Sequence, residues 1–547
     1  MEAVDYIIVG GGTAGCVVAE RLSASGRDRV LLLEAGGSDQ RFWVRVPIGY
    51  GRTFNDPAVN WMYEAEPEAS LGGVRSYWPR GKVLGGSGSI NAMVYARGQP
   101  RDYDDWRELG NSGWGWSDVL PHFQAIESRG DGVGDGERTS GGAVANSARP
   151  ALRITDVSAQ AHPLVRAYIE ACGALGYPFT PDFNGAQPEG VGIYQITTRN
   201  GLRDSTATAW LRPALRRRNL QLLLDSQVLR IECAARRATG VRYTRGGQMV
   251  SVRANKAVVL CAGSVNSPQL LQLSGIGPAS LLQGLGIPVI HELSAVGRNL
   301  QDHLGISYFY RSRVPTLNNR LYPWWGKAAA GLQYALTRRG PLSMSVNQGG
   351  GFIRSDPSLR APDLQLYFNP ASYTSSRTRT RRLMNPDPFP GFLLSFNSCR
   401  PTSRGHIAVR SADPQQQPAI FPNYLSTEQD LQDVYKGARL MRALAATEPL
   451  AALIDHEMQP GAAKTSEAEL LQDFRERAGT VFHPVSTCMM GPAPDHAVVD
   501  ARLRVHGIAG LRVIDASIFP TVTSGNTNGP TVMVADKGAS MLLADSE

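Results

Sequence analysis

The chain opens on an apolar run, Val4–Val9, that leads straight into Gly10-x-Gly12-x-x-Gly15. Apolar Ala14, Val17, Val18 and Leu22 follow at helical spacing, and a second apolar run, Val30–Leu33, ends in Glu34. Short continuous apolar runs read as buried strands, and a 3.6-residue apolar period reads as a helix. The opening segment therefore predicts strand, glycine turn, helix, strand and acid, the order of a dinucleotide-binding βαβ unit. Gly10 allows the tight turn, Gly12 lets the backbone approach a pyrophosphate, and Gly15 lets the helix pack close to the strand. Thr13 and Ala14 open the helix, whose N-terminus offers free N–H groups and a favourable dipole to a diphosphate. Glu34, with Ala35 behind it, is placed to accept from a ribose 2′-OH. A carboxylate there repels a 2′-phosphate, which disfavours NADP.

The same apolar patterning recurs far downstream. Ala257–Cys261 reads as a short buried strand ending in Ala262-Gly263. Ser267-Pro268 then reads as an N-cap with proline at the first helical position. Leu270, Leu271 and Leu273 give that helix its apolar face, and Gly275 can stop it. Leu511–Ile514 is a further short strand ending in Asp515, and a last helical pattern runs from about Pro530 to Leu543. A nucleotide domain with pieces at both ends of the chain must be interrupted by a second domain. The division expected is 1–155, 215–305 and 485–547 for the nucleotide domain, with 156–214 and 306–484 for the other. Gly130 to Gly142 reads as a surface loop or hairpin, and the Arg-, Ser- and Pro-rich stretch Ser372–Pro390 as a long excursion.

Composition narrows the function classes. The chain has 547 residues and is 42% hydrophobic, enough for a large core. No apolar run approaches the ~20 residues of a membrane span, and the first strand leaves no room for a signal peptide, so a cytoplasmic enzyme is expected. The six cysteines form no Cys-x-x-Cys pair and the nine histidines show no metal-ligand spacing. Buried thiols and no metal are expected. The net charge is +8, but the basic residues are dispersed, which speaks against nucleic acid as a partner.

Five ordered segments of this chain resemble the glucose–methanol–choline (GMC) oxidoreductase family. They are Gly81-Lys-Val-Leu-Gly85-Gly86-Ser87-Gly88-Ser89-Ile90-Asn91, Gly263-Ser-Val-Asn-Ser267-Pro268 through Ser274-Gly275-Ile-Gly277, Phe482-His483-Pro484-Val-Ser-Thr-Cys488-Met-Met-Gly491, Val513-Ile-Asp515-Ala516-Ser517, and Gly525-Asn526-Thr527-Asn-Gly-Pro530-Thr. The likeness covers nearly the whole length and is nearest to choline-dehydrogenase-like and alcohol-dehydrogenase-like members. It implies FAD rather than NAD. It also implies an α/β fold: a Rossmann-like FAD-binding domain and a discontinuous substrate domain with an antiparallel sheet over the flavin. An alcohol substrate, an electron acceptor (oxygen, a quinone or a dye) and an open question of homodimer formation come with it.

The resemblance also assigns roles. His483 is the expected base, since its ordinary pKa lies near neutrality, and Asn526 is the partner that fixes the alcohol oxygen. Many family members have a second histidine there. Gly81, Val83, Gly85, Gly86, Ser87, Asn91, Ala92, Met93 and Val94 belong to the loop expected against the flavin. Ile90 stands where some members attach flavin through histidine, so non-covalent FAD is expected. Val228 is expected at adenine, with a plain core valine as the alternative. Asp515 and Ala516 are expected near the ribityl or diphosphate region, with a strand-end cap as the alternative. Asn526 and Thr527 lead into the last helix, whose N-terminus faces the flavin pyrimidine ring in this reading. Gly88, Ser486 and Gly529 stand where serine, glycine and alanine are common.

The reaction expected is oxidation of a primary alcohol to the aldehyde, with hydride passing to flavin N5. Choline oxidation and a non-redox flavin-binding lyase are the alternatives. Choline wants an aromatic cage, with a carboxylate near it. Tyr322, Trp324, Trp325, Tyr367 and Phe368 are the candidate rings, and a neutral alcohol with an apolar or aromatic body is favoured.

Overall fold

A computed structural model describes residues 3–131, 149–373 and 385–545. Most of the Gly130–Gly142 stretch and the middle of Ser372–Pro390 lie outside the described residues. The first sheet has a parallel centre in the order Leu220–Leu223, Val30–Leu33, Ala3–Val9 and Gln248–Leu260, with Leu511–Val513 parallel to the end of the last. Val30–Leu33, the Tyr6–Val9 part of the first strand and the Val258–Leu260 end of the fourth are runs of buried apolar residues, as strands covered on both faces require. The strand expected at 257–261 is longer, Gln248–Leu260. Its charged first half carries no continuous apolar run because it forms an antiparallel ribbon with Arg237–Arg245 and Gln227–Ala234. Helix Thr13–Ser23 packs on the sheet and against the last helix, Asn528–Ala544.

One helix start differs from expectation. The helix begins at Gly263, not at Ser267, and runs to Leu273 with Pro268 in its interior. A proline there leaves the carbonyl four residues back without its helical N–H. That carbonyl, Ser264 O, accepts from the Thr487 hydroxyl at 2.6 Å. Asp515 serves the helix start, accepting from Gly263 N–H at 2.9 Å and from the Ser267 hydroxyl at 2.5 Å. Tertiary partners thus replace what a local cap would supply.

The second sheet is antiparallel, in the order Ile454–Gln459, Leu304–Ser312, Gly391–Ser398, Leu364–Asn369, Gly349–Ile353 and Gly190–Ile193. Its period of two sorts the side chains. Ile306, Tyr308, Leu366, Phe368, Leu394 and Phe396 belong to a core cluster that also takes in residues of helices Leu164–Ala174, Glu428–Ala446 and Glu467–Arg477. Ser307, Ser395 and Tyr367, which lie in register across three strands, face the other way. The expected domain division is blurred by packing: Trp210 and Leu211 join the core of the first sheet, whereas Tyr63 and Trp78 join that of the second.

Candidate active site

The loop Val481–Val485 is clamped against Gln301–His303 by backbone bonds: Val481 N–H to His303 O, 3.0 Å, and Val485 N–H to Gln301 O, 2.9 Å. Between these points the His483 N–H donates to Asp302 Oδ1 at 2.7 Å. Asp302 Oδ2 accepts from the Tyr424 hydroxyl at 2.7 Å and the Thr480 hydroxyl at 2.5 Å. Burial pushes this carboxyl up to about 6, against those hydrogen bonds and the Arg80 cation. Arg80 itself donates to Phe482 O at 2.8 Å. The loop is therefore held by its backbone and not by the His483 imidazole.

The side chains form a chain of hydrogen bonds with a fixed direction. His303 Nε2 lies 3.1 Å from the Cys399 carbonyl, His303 Nδ1 lies 3.0 Å from His483 Nδ1, and His483 Nε2 lies 3.0 Å from Asn526 Nδ2. A carbonyl only accepts, so His303 carries its proton on Nε2. Burial holds His303 near 4, so it is neutral and its Nδ1 is an acceptor. His483 must then carry its proton on Nδ1, which leaves a lone pair on Nε2. Asn526 Nδ2 donates to that lone pair, while Asn526 Oδ1 accepts from Gln365 Nε2 at 3.4 Å. Burial, followed by the neighbouring His303 and Arg80, holds His483 well below the ordinary histidine range. An alcohol hydroxyl that displaces the Asn526–His483 bond finds an acceptor for its proton at Nε2 and a donor for its oxygen at Nδ2.

His483 and Asn526 stand at one end of a long cavity between the two sheets. The residues expected at the dinucleotide line this cavity, with the exception of Gly15, Val83 and Gly85. Gly15 packs on the first strand: a Cβ there would lie 1.9 Å from Gly10 O. Val83 is fully buried with Val44, Val59 and Ile90, and Gly85 N–H bonds to Gly11 O at 2.7 Å. Glu34 also lines the cavity, accepting from Gly11 and Gly36 N–H groups at 2.8 Å each, and burial pushes it up to about 7.

Sequence reasoning places His303 near the flavin domain without a catalytic role, and it missed Asp302 and Arg80. Gln301-Asp302-His303 has no motif spacing, and its role exists only once strand Leu304–Ser312 is laid beside the His483 loop. The aromatic cage does not form. Tyr322, Trp324 and Trp325 are 51%, 76% and 63% exposed on the outer surface, and Phe368 faces the core. Tyr367 alone of the five lines the cavity, where it is joined by the unexpected rings of Tyr50, Phe54, Trp61, Tyr373 and Phe482.

Of the departures at the site, Gly529 has a local reason and Ser486 has none in the structure. Ser486 sits at φ 74°, the left-handed region that glycine favours, with its buried hydroxyl unpartnered among the described residues. A Cβ at Gly529 would lie 2.6 Å from Ala96 O, so alanine would not fit this backbone.

Models of the GMC oxidoreductase family match residues 4–305 and 401–535. The chain is 41% identical to an oxygen-dependent choline dehydrogenase of Vibrio vulnificus, covering 98% of this chain and 94% of that one. It is 38% identical to an alcohol dehydrogenase [acceptor] of Pseudomonas putida, covering 98% and 95%. Among solved structures, pyridoxine 4-oxidase from Mesorbium loti superposes with a TM-score of 0.86 at 30% identity over 98% of both chains. The chain therefore belongs to the GMC oxidoreductase family, whose members are flavoproteins acting on CH–OH donors.

Proposed function

We propose that this protein oxidises a neutral primary alcohol with an apolar or aromatic body to the aldehyde. His483 Nε2 takes the hydroxyl proton and Asn526 Nδ2 holds the oxygen. FAD, held along the same cavity, would supply the acceptor for the hydride that leaves the alcohol carbon. The observation that carries the substrate class is the lining of the cavity. Tyr50, Phe54, Tyr367, Tyr373 and Phe482 line the cavity together with His483, and Phe54 packs tilted against Phe482 with centroids 5.3 Å apart. The carboxylates that line the cavity, Glu34 and Asp515, are both engaged by backbone N–H groups. A quaternary ammonium group entering there meets rings without a counter-charge, whereas an apolar body gains from the same surface.

The cavity fits FAD. A Cβ on Gly12 would meet nothing nearer than Gly86 Cα at 3.8 Å, so the glycine leaves open room in front of the first helix N-terminus for a diphosphate. Glu34 and Val228 would take the ribose and adenine, Asp515, Ala516 and Thr527 the ribityl chain and pyrimidine edge, and Gly86–Val94 the flavin ring. Ile90 offers no attachment atom, which supports non-covalent binding. The test is anaerobic bleaching of the purified yellow protein over a panel of alcohols at matched concentration. Aryl and medium-chain primary alcohols should bleach the flavin faster than choline. Faster bleaching by choline would overturn the substrate class, and no bleaching by any alcohol would favour the lyase.

A further inference from the structure

We propose that helix Trp324–Thr337 and its flanks form a docking surface for an anionic lipid membrane. An ordinary surface helix turns its apolar stripe inward and its polar stripe to water. This one is apolar on both sides. Gly326, Ala330 and Tyr334 are buried, one to a turn. The stripe directly opposite reads Trp325, Ala328, Ala329, Leu332, Ala335 and Leu336, and all of it is exposed. Trp325 is 63%, Leu332 62% and Leu336 76% exposed, and Trp324 beside them is 76% exposed. The indoles meet edge to face with centroids 6.1 Å apart, at the helix N-terminus. Isolated exposed apolar residues need no explanation, but a contiguous stripe capped by two tryptophans does.

Charge selects the occupant. From His303 to Ser355 the sequence contains no aspartate or glutamate, and it carries Arg311, Arg313, Arg320, Lys327, Arg338, Arg339 and Arg354. Arg320, Lys327, Arg338 and Arg339 border the stripe and are exposed. Among the described residues none of the four is in an ion pair: Arg320 donates to the Gln333 amide and Arg338 lies over the Tyr334 ring. A second copy docked face to face through this stripe would bring like charges together. An interface of tryptophan and leucine rimmed by unpaired cations is complementary to headgroups that are negative over acyl chains. Among the described residues no helix is long and apolar enough to cross a membrane, so attachment is to one leaflet.

The position of the helix gives the surface a use. Ala330 and Tyr334 share an apolar cluster with Tyr50, Phe54, Val346 and Tyr373, which line the catalytic cavity. A membrane on the outer face lies one helix away from that cavity. An apolar alcohol, or a lipid-soluble electron acceptor, would reach it from the bilayer. That consequence rests on the proposed alcohol reading; the docking surface does not.

The test is co-sedimentation of the flavin-loaded full chain with vesicles of phosphatidylcholine alone and of phosphatidylcholine mixed with phosphatidylglycerol. The protein should sediment with the mixed vesicles, release as salt rises, and bind the neutral vesicles at least tenfold more weakly. Trp324→Ser combined with Trp325→Ser and Leu332→Ser should abolish binding without changing flavin content or turnover of a water-soluble alcohol. Arg338→Ser with Arg339→Ser should weaken binding about 25-fold, about fivefold per cation. A wild-type protein that stays in the supernatant with both vesicle types overturns the proposal. So does a serine variant that sediments like wild type, or light scattering that shows a wild-type dimer broken by the same serine substitutions. Bleaching of the flavin by alcohols is measured on the same samples, so failure to bind lipid is distinguished from failure of the catalytic reading.

Discussion

Replacing His303 by alanine tests the direction of the hydrogen-bond chain. His303 does not line the cavity; it acts through His483, accepting a hydrogen bond from its Nδ1–H across 3.0 Å. Without that acceptor the Nδ1–H is buried and unpaired, a cost of about 1–3 kcal/mol. The imidazole can escape the cost by moving its proton to Nε2, but the lone pair then points away from Asn526. The productive tautomer falls by the same free energy, about 5- to 150-fold at 1.4 kcal/mol per tenfold. Anaerobic stopped-flow reduction of the bound flavin by a saturating alcohol measures this directly. His303→Asn should recover much of the loss, because its Oδ1 is placed much as the histidine Nδ1 is and accepts from the same N–H. The pH profile separates this role from a structural one. A base works only unprotonated, and His483 is held well below the ordinary range by burial and then by His303 and Arg80. The acid limb of wild-type reduction should therefore lie below pH ~6.5, the ordinary histidine value. His303→Ala removes one of those causes, so its acid limb should move upward. Reduction at the wild-type rate with an unmoved acid limb, or an Asn variant no better than Ala, would refute the reasoning.

His483→Ala should slow flavin reduction about 10²–10⁴-fold with FAD retained, the range for losing a general base; Asn526→Ala should cost less, since only a hydrogen bond is lost. Ser486→Gly should raise stability by about 1 kcal/mol in chemical denaturation, because it relieves a left-handed backbone at φ 74° and removes a buried unpartnered hydroxyl. Thr487→Val should lower stability by about 1–3 kcal/mol in the same assay, since it strips the partner from the Ser264 carbonyl that Pro268 leaves open; an unchanged midpoint would mean the helix heals itself. Acid precipitation should release the flavin into the supernatant, and yellow colour retained by the pellet would contradict non-covalent binding.

What the sequence determined by itself is the part written in local patterns. The buried runs at Val4–Val9 and Val30–Leu33, the glycine turn between them and Glu34 give a βαβ unit whose spacing is fixed by backbone sterics. The ordered segments around Gly85, Ser267, His483 and Asn526 point to the family, and the two side chains proposed as the reacting pair are found 3.0 Å apart. The last helix, read from Pro530, is found at Asn528–Ala544. Tertiary structure alone decided what depends on partners distant in the chain. The helix at Gly263 starts where Asp515, 252 residues away, can cap it, not where Ser267-Pro268 suggests. Neighbouring Tyr367 and Phe368 part company because a strand turns consecutive side chains to opposite faces, and the sequence does not say which face meets the cavity. His303 lies 180 residues from His483, and its proton position follows from a carbonyl at Cys399. Desolvation of that pair is a property of everything packed around it, so the tautomer that leaves the lone pair on His483 Nε2 appears only when the two sheets close over it.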